Sequence, residues 1–294
     1  MDRRSWILIF VVGAIWGASF LFIEIGIRDM SPSVVAWARV ALGAAFLVPF
    51  AWFQGVLRVP GAGVGLVIFL AATQVAVPFV LIGEGQKEIT SSLSGILVAS
   101  TPLWTALLAI RLDPNERSEG IQLWGVLAGL VGVGLLLGVD LNGTSAEIIG
   151  GMLILLASLG YAIGGLVTRL KLPGAAGAGV AAWITLTATI LLTPFAIADM
   201  PSEAPGIGPI AAVVALGVVG TGVAFAIFFE LMTNIGPART FTVTYLSPGF
   251  AVVYGAILLD EPIGIATIGG LALILLGSYL AAGYTSSASE SAIR

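Results

Sequence analysis

The 294-residue sequence contains neither cysteine nor histidine. That removes disulfides, thiolate metal sites, cysteine nucleophiles, the usual zinc ligand and the commonest general base. A serine nucleophile would have no histidine partner, and no pair of aspartates falls inside an apolar run, so intramembrane hydrolysis lacks its inventory. No metal site and no cofactor site is expected, and the chain reads as a non-enzyme. The remaining candidates are groups suited to holding a small molecule. Pro102 and Pro248 each lie inside an apolar run and follow a hydroxyl, Thr101 and Ser247. A proline within a helix frees a backbone carbonyl, which lipid tolerates only where protein or a wet cavity satisfies it; a packing kink explains both prolines equally well. Trp16, Phe79, Trp104, Tyr161, Phe225 and Tyr245 could wall a solute. Ser19, Thr73, Gln74 and Ser100 would be the few placed polar groups of such a pocket, although aromatics also fill helix interfaces. Glu24 and Arg39 are charges inside apolar runs and read as an ion pair or interfacial anchors, or functionally as an outer gate or a carboxylate that couples proton movement.

These residues need elements that live in lipid. Hydrophobic residues make up 58% of the chain and charged ones 10%, and a soluble surface cannot be solvated on so little charge. Apolar segments fall near 6–27, 33–53, 63–83, 90–111, 121–139, 148–168, 178–198, 209–232, 238–259 and 263–284, most of them near the roughly 20 residues that cross a bilayer. The expected class is an all-α integral membrane protein with ten transmembrane helices. The first run exceeds a signal-peptide core and lacks a small-x-small cleavage site, so it reads as an uncleaved span. Short turns such as Asp113-Pro114-Asn115-Glu116 and Asn142-Gly143-Thr144-Ser145 separate the runs. With the N-terminus inside, Arg3, Arg4, Arg58, Arg111, Arg117, Arg169, Lys171, Arg239 and Arg294 are inside, against Arg28 and Lys87 outside. Both termini are therefore predicted to be cytoplasmic. On this reading Glu24 is near the outer end of span 1, with Arg39 about 9 Å below the outer end of span 2 at the helical rise, so the two could pair. Trp6, Trp52, Trp124, Trp183 and Trp37 sit near span ends, as belt residues do. No basic cluster offers a footprint for nucleic acid.

The sequence also matches itself at a shift of about 145 residues. Leu47-x-Pro49-Phe50-Ala51 returns as Leu192-x-Pro194-Phe195-Ala196, and Trp37, Phe79, Glu84, Ile89 and Pro102 as Trp183, Phe225, Glu230, Ile235 and Pro248. Trp16 is related to Tyr161 in the same way. A repeat of five spans must re-enter from the opposite side, so the two sets of five are inverted. Residues 1–141 and 146–284 are the expected repeats, and 285–294 a disordered cytoplasmic tail. Such a repeat favours a transporter with a midplane site over a non-transporting subunit. Gly125-x-x-x-Gly129 and Gly269-Gly270 with Gly277 are close-packing faces, expected to act within one chain, so a monomer is favoured over a dimer. Gly217-x-x-Gly220-x-Gly222 lies in an apolar run without a preceding strand and reads as packing, not nucleotide binding.

Glu84-x-x-x-x-Ile89-Thr90-Ser91-Ser92-x-x-x-Gly95 and Ser100-Thr101-Pro102-Leu103-Trp104 resemble the EamA family of the drug/metabolite transporter superfamily. So do Ile235-Gly236-Pro237-Ala238-Arg239, Tyr245-Leu246-Ser247-Pro248, Leu258-Leu259-Asp260-Glu261-Pro262, Ile268-Gly269-Gly270 and Leu275-Leu276-Gly277. Trp16-Gly17-x-x-Phe20 and Arg39 also fit, whereas Asp113-Pro114-Asn115-Glu116 departs from the family pattern. The resemblance covers essentially the whole chain. It implies an exporter of amino acids or related metabolites, with a cavity lined mainly by spans 1, 3, 4, 6, 8 and 9. Multidrug and purine or nucleobase export are the alternatives it carries. Scarce deep charge points to a neutral or zwitterionic small molecule as the substrate, since polyanions need Lys or Arg in the cavity. A proton is the candidate coupling ion.

Overall fold

A computed structural model describes residues 2–112, 121–136 and 144–282. The turn predicted at Asp113-Pro114-Asn115-Glu116, the last residues of predicted span 5 and the predicted tail lie outside the described residues. The described residues fold as helices, which we number by span: α1 (Arg3–Gly26), α2 (Pro32–Phe53), α3 (Val64–Gly85), α4 (Ser91–Val98 with Thr101–Leu112), α5 (Ile121–Leu135), α6 (Ser145–Lys171), α7 (Gly177–Ala198), α8 (Ile207–Ile235), α9 (Thr242–Leu258) and α10 (Ile265–Ala282). Seven are long and apolar enough to cross a membrane, and the shorter apolar helices α5, α9 and α10 complete the ten. Their ends follow from local chemistry. Asp2, Ser31 and Thr90 accept backbone N–H bonds as N-caps, Pro32 occupies a first-turn position that needs no N–H, and Thr144 with Glu147 forms a capping box. Predicted span 9 was expected from residue 238. It starts later because Gly236, at φ +81°, ends α8 and a single turn at Pro237–Thr240 precedes α9.

The pairing of helices displays the inverted repeat. Helix α2 packs along its repeat mate α7, α4 on α9, and α5 on α10. Three further contacts between the halves occur twice each: α1 on α9 and α6 on α4, α1 on α8 and α6 on α3, α2 on α8 and α7 on α3. The matched tryptophans of the α2–α7 pair each donate a hydrogen bond to the other half, Trp37 onto α7 and Trp183 onto the linker just after α2. Trp37 Nε1 donates to Thr193 Oγ1 at 3.1 Å, and its mate Trp183 donates to the Leu57 carbonyl at 2.8 Å. The tryptophans at 6, 52 and 124 are exposed, as lipid-facing belt residues should be. The glycine faces of α5 and α10 meet each other: a Cβ at Gly125 would stand 2.9 Å from the Gly277 carbonyl oxygen, and one at Gly277 would stand 2.6 Å from Gly129 N. That surface is used inside the chain.

Helices α1 and α9 cross with almost no space between backbones. A Cβ at Gly17 would lie 2.5 Å from Phe250 Cβ and 2.7 Å from the Ser247 carbonyl oxygen, whereas one at Gly165 would meet nothing within 4 Å. Gly17→Val is therefore expected to cost about 1–3 kcal/mol by overpacking and to lower the melting temperature of the purified protein. Gly165→Ala should leave it unchanged. Equal melting curves for the two variants would contradict this crossing geometry.

Candidate functional site

The third helix of each half loses its α geometry at the same repeat position. Ala72–Ala76 in α3 and Val218–Val223 in α8 are π-helical, and a shift of 146 carries Ala72 onto Val218. Such widened turns are rare and concentrate where a protein needs backbone or side chains re-aimed. In α3 the turn directs Gln74 Nε2 onto Thr168 Oγ1 of α6 at 2.9 Å. A Cβ at Gly160 would stand 2.8 Å from the Thr73 carbonyl oxygen, and one at Gly164 would stand 2.9 Å from Thr73 Oγ1. The predicted polar pair Thr73 and Gln74 therefore sits on the glycine face of α6. In α8 the widened turn presents Thr221, whose hydroxyl accepts from Arg39 Nε at 3.1 Å and donates to the Leu216 carbonyl at 3.2 Å. Ser19 lies beside it: its hydroxyl would be 3.2 Å from a Cβ at Gly220, and it bonds its own helix at Ile15.

Arg39 is 8% exposed. Its guanidinium lies over the Phe79 ring, 3.8 Å from the centroid, and Tyr161 is within electrostatic reach. The expected pairing with Glu24 does not form. Arg39 faces α3, α6 and α8, while Glu24 belongs to a cleft at the far end of α1, beside Glu261 and Arg28. Ion pairs among the described residues include Arg4–Glu230 at 2.5 Å and Lys87–Glu84 at 2.7 Å, neither of them with Arg39 or Glu24.

The two matched prolines differ. Helix α9 runs unbroken through Pro248, with Ser247 buried against α1 at Gly17. Helix α4 breaks at Ala99–Ser100, just before Pro102. Hydroxyls of the protein itself satisfy the freed carbonyls: Ser100 and Ser158 donate to Leu97 at 2.6 and 3.2 Å, Thr101 to Val98 at 2.7 Å, and Ser278 to Ala99 at 3.0 Å. Both Ser100 and Thr101 spend their hydroxyls on this break, the condition under which irregular backbone survives at membrane depth.

The ring contacts of the candidate aromatic residues fall into separate groups. Trp16 packs on Phe225 at 5.7 Å and on Phe228 at 5.1 Å. Phe79, the repeat mate of Phe225, carries the Arg39 guanidinium on its ring, and Tyr161, the mate of Trp16, packs against the apolar cluster that holds Phe79. Tyr245 turns to α10, donating to the Ser278 carbonyl at 3.4 Å with its ring 6.3 Å from Tyr279. Trp104 joins none of these ring contacts, and its buried Nε1 has no hydrogen-bond partner.

Two clefts lie at opposite ends of α1. One, of about 450 Å³, is lined by Asp2, Arg4, Leu8, Glu230, Asn234 and Arg239, with the Arg4–Glu230 pair joining α1 to α8. Asp2 there is held below the usual carboxylate range by its hydrogen bonds from Ser5. The other, of about 310 Å³, is lined by Glu24, Arg28, Gln86, Glu88, Thr90 and Glu261 among others. Glu261 accepts from Ser91 N at 2.8 Å, from Ser92 N at 3.0 Å and from the Ser92 hydroxyl. Sequence reasoning gave neither Thr221 nor Glu261 a role. Glu261 carried a usable signal, a carboxylate in the short linker directly after a span; Thr221 carried none.

Comparison with known proteins agrees with this architecture. Residues 4–138 and 148–283 each match the EamA-like transporter family. A relative described as a probable amino-acid metabolite efflux pump of Escherichia coli (strain K12) is 26% identical, over 95% of both chains. An uncharacterized inner membrane transporter of the same strain, YedA, is 24% identical over 92% of this chain and 90% of its own. An uncharacterized transporter of Archaeoglobus fulgidus is 24% identical over 95% and 98% respectively. A solved crystal structure aligns over 96% of this chain and 98% of its own at a TM-score of 0.68 and 20% identity, a likeness of fold. With two matched halves spanning nearly its whole length, the chain belongs to the EamA-like transporter family and is a multi-pass membrane transporter.

Proposed function

We propose that the protein exports amino acids or related small amphipathic metabolites across the cell (inner) membrane by alternating access. The observation that carries this reading is Arg39: one buried guanidinium, stacked on Phe79 and bonded to Thr221, at the depth of the paired π turns. A lone cation in an aromatic setting suits the carboxylate of a zwitterion, and one such charge is too little for a polyanion. The relative described as an amino-acid metabolite efflux pump supports the same substrate class and direction. In this mechanism repeats 1–141 and 146–284 rock against each other about the α2–α7, α4–α9 and α5–α10 seams. Both termini are cytoplasmic, so the Arg4–Glu230 cleft faces inward and the Glu24–Glu261 cleft outward. The solute passes between the Trp16–Phe225 and Tyr161–Phe79 groups, with Trp104 at the edge of the path, and Glu24 and Arg39 gate it or couple it to protons. The chain works as a monomer.

Counterflow tests this. Proteoliposomes loaded with each amino acid in turn, with and without a pH gradient, should take up labelled substrate for a neutral subset. Uptake of a nucleobase or a cationic drug, with none of any amino acid, would overturn the substrate class.

A further inference from the structure

Four buried side-chain polar atoms among the described residues lack a hydrogen-bond partner: Glu24 Oε2, Gln86 Oε1, Ser91 Oγ and Trp104 Nε1. Glu24 and Gln86 line the same cleft, and Ser91 stands at its edge, its backbone N–H bonded to Glu261 of that cleft. Gln86 is 3% exposed, and its orientation is dictated by its neighbour. Its Nε2 donates to the Phe20 carbonyl at 3.0 Å, a group that can only accept, so Oε1 is left as the free acceptor. A buried acceptor without a donor is costly, and the two residues that carry these acceptors, Glu24 and Gln86, line one cleft of about 310 Å³, the oxygens themselves lying just beneath its wall. The charge there is negative as well. Glu24, Glu88 and Glu261 face Arg28 and Lys87; Lys87 is already paired with Glu84, and among the described residues Arg28 makes no salt bridge, though it lies close enough to Glu24 to act on its charge.

We propose that this cleft is a binding site for a primary ammonium group, held by Glu24 Oε2 and Gln86 Oε1. An ammonium carries three donors and no acceptor, the complement of a carboxylate and an amide oxygen that lack donors. The site rests on the export reading, in which it is the station that the amino group of a departing substrate meets after the carboxylate leaves Arg39. A quaternary ammonium has the charge but no donor and is a poor fit.

The test is calorimetric titration of the full-length protein in lipid nanodiscs with 2-phenylethylammonium, its trimethylated analogue, and NaCl against choline chloride. The primary amine should bind, and the trimethylated analogue should bind at least about tenfold more weakly. Glu24→Gln, which keeps the shape, should weaken the amine by about tenfold to a hundredfold, the span of one charged hydrogen bond. Gln86→Met should act in the same direction, and the control Glu203→Gln should change nothing. Should Gln86→Met fail to fold, the Glu24 variant and the primary-to-quaternary comparison decide. Amine affinity unchanged by Glu24→Gln, or binding of Na⁺ in place of the amine, would overturn the site. Amine binding without amino-acid counterflow would sink the export reading and leave the site standing; counterflow with amine binding indifferent to Glu24 would do the reverse.

Discussion

Arg39→Leu is expected to lower counterflow per inserted molecule by about a hundredfold while leaving the melting temperature unchanged or raised. The two halves of that expectation have one cause. An arginine inside a span costs about 2.5–3.5 kcal/mol on insertion scales, and replacing a buried ion by a well-packed apolar residue is often neutral or stabilising. Arg39 is 8% exposed, and what it receives from the protein is one hydroxyl acceptor and one ring face. Those contacts do not account for keeping a cation at that depth, whereas on the proposed export reading a substrate carboxylate would. Losing a charged partner of a desolvated ligand removes roughly 1.5–3 kcal/mol, which at its upper end is about two powers of ten. Thr221→Val keeps the shape and removes the acceptor that orients the guanidinium, along with the bond to the Leu216 carbonyl, but leaves the charge, so its loss should be nearer tenfold. Arg39→Lys should fall close to Arg39→Leu, because an ammonium cannot lie flat on Phe79 or grip a carboxylate with two parallel bonds. Wild-type transport in Arg39→Leu, normalised to inserted protein, would reduce Arg39 to a packing residue.

The same residue marks where sequence reasoning stopped. Ten apolar runs and an inverted repeat were legible, because lipid demands the first and matched Pro, Trp and Glu residues betray the second. The packing of glycines was legible too, since Gly125, Gly129 and Gly277 can do little else in an apolar helix. The partner of Arg39 was not. Charge counting offers Glu24, a carboxylate within the neighbouring span, yet the structure supplies a hydroxyl and an aromatic face that composition cannot single out. The π turns were hidden for a related reason. Ala72-Thr73-Gln74-Val75-Ala76 and Val218-Val219-Gly220-Thr221-Gly222-Val223 share no residue pattern, so the extra residue in each turn is set by what α3 and α8 pack against. Pro102 and Pro248 show the converse. Matched prolines give a broken α4 and an unbroken α9, and at the break Ser158 and Ser278, neither of which the sequence places beside α4, donate to the Leu97 and Ala99 carbonyls.

Glu261→Ala is expected to open the end of the molecule that holds it. The linker after α9 turns sharply at Asp260, which adopts φ +55°, a left-handed conformation that Asp tolerates better than most residues. The turn brings Glu261 N back to the Gly255 carbonyl at 3.1 Å and sets the carboxylate on the first turn of α4. There it takes two backbone N–H groups and the Ser92 hydroxyl, with the helix dipole in its favour. This contact ties the second half to the first, and on the rocking mechanism it must break each time that end opens. Charged hydrogen bonds contribute about 1.5–3 kcal/mol each, so losing this set should raise the open population by at least about tenfold. At the opposite end the Arg4–Glu230 pair has side chains 72% and 40% exposed, and exposed pairs contribute only about 0.2–1 kcal/mol. Glu230→Gln should therefore shift its own end by less than about fivefold. The absence of cysteine makes the measurement direct: a single reporter, Ser94→Cys at a fully buried position of α4, labelled with a maleimide in membranes. Labelling should accelerate about tenfold or more in Glu261→Ala. Gly255→Ala should reproduce it without touching the charge, because a Cβ there would collide with both the Glu261 carboxylate and the Ser92 hydroxyl. Unchanged labelling in both variants would show that Glu261 only caps a helix.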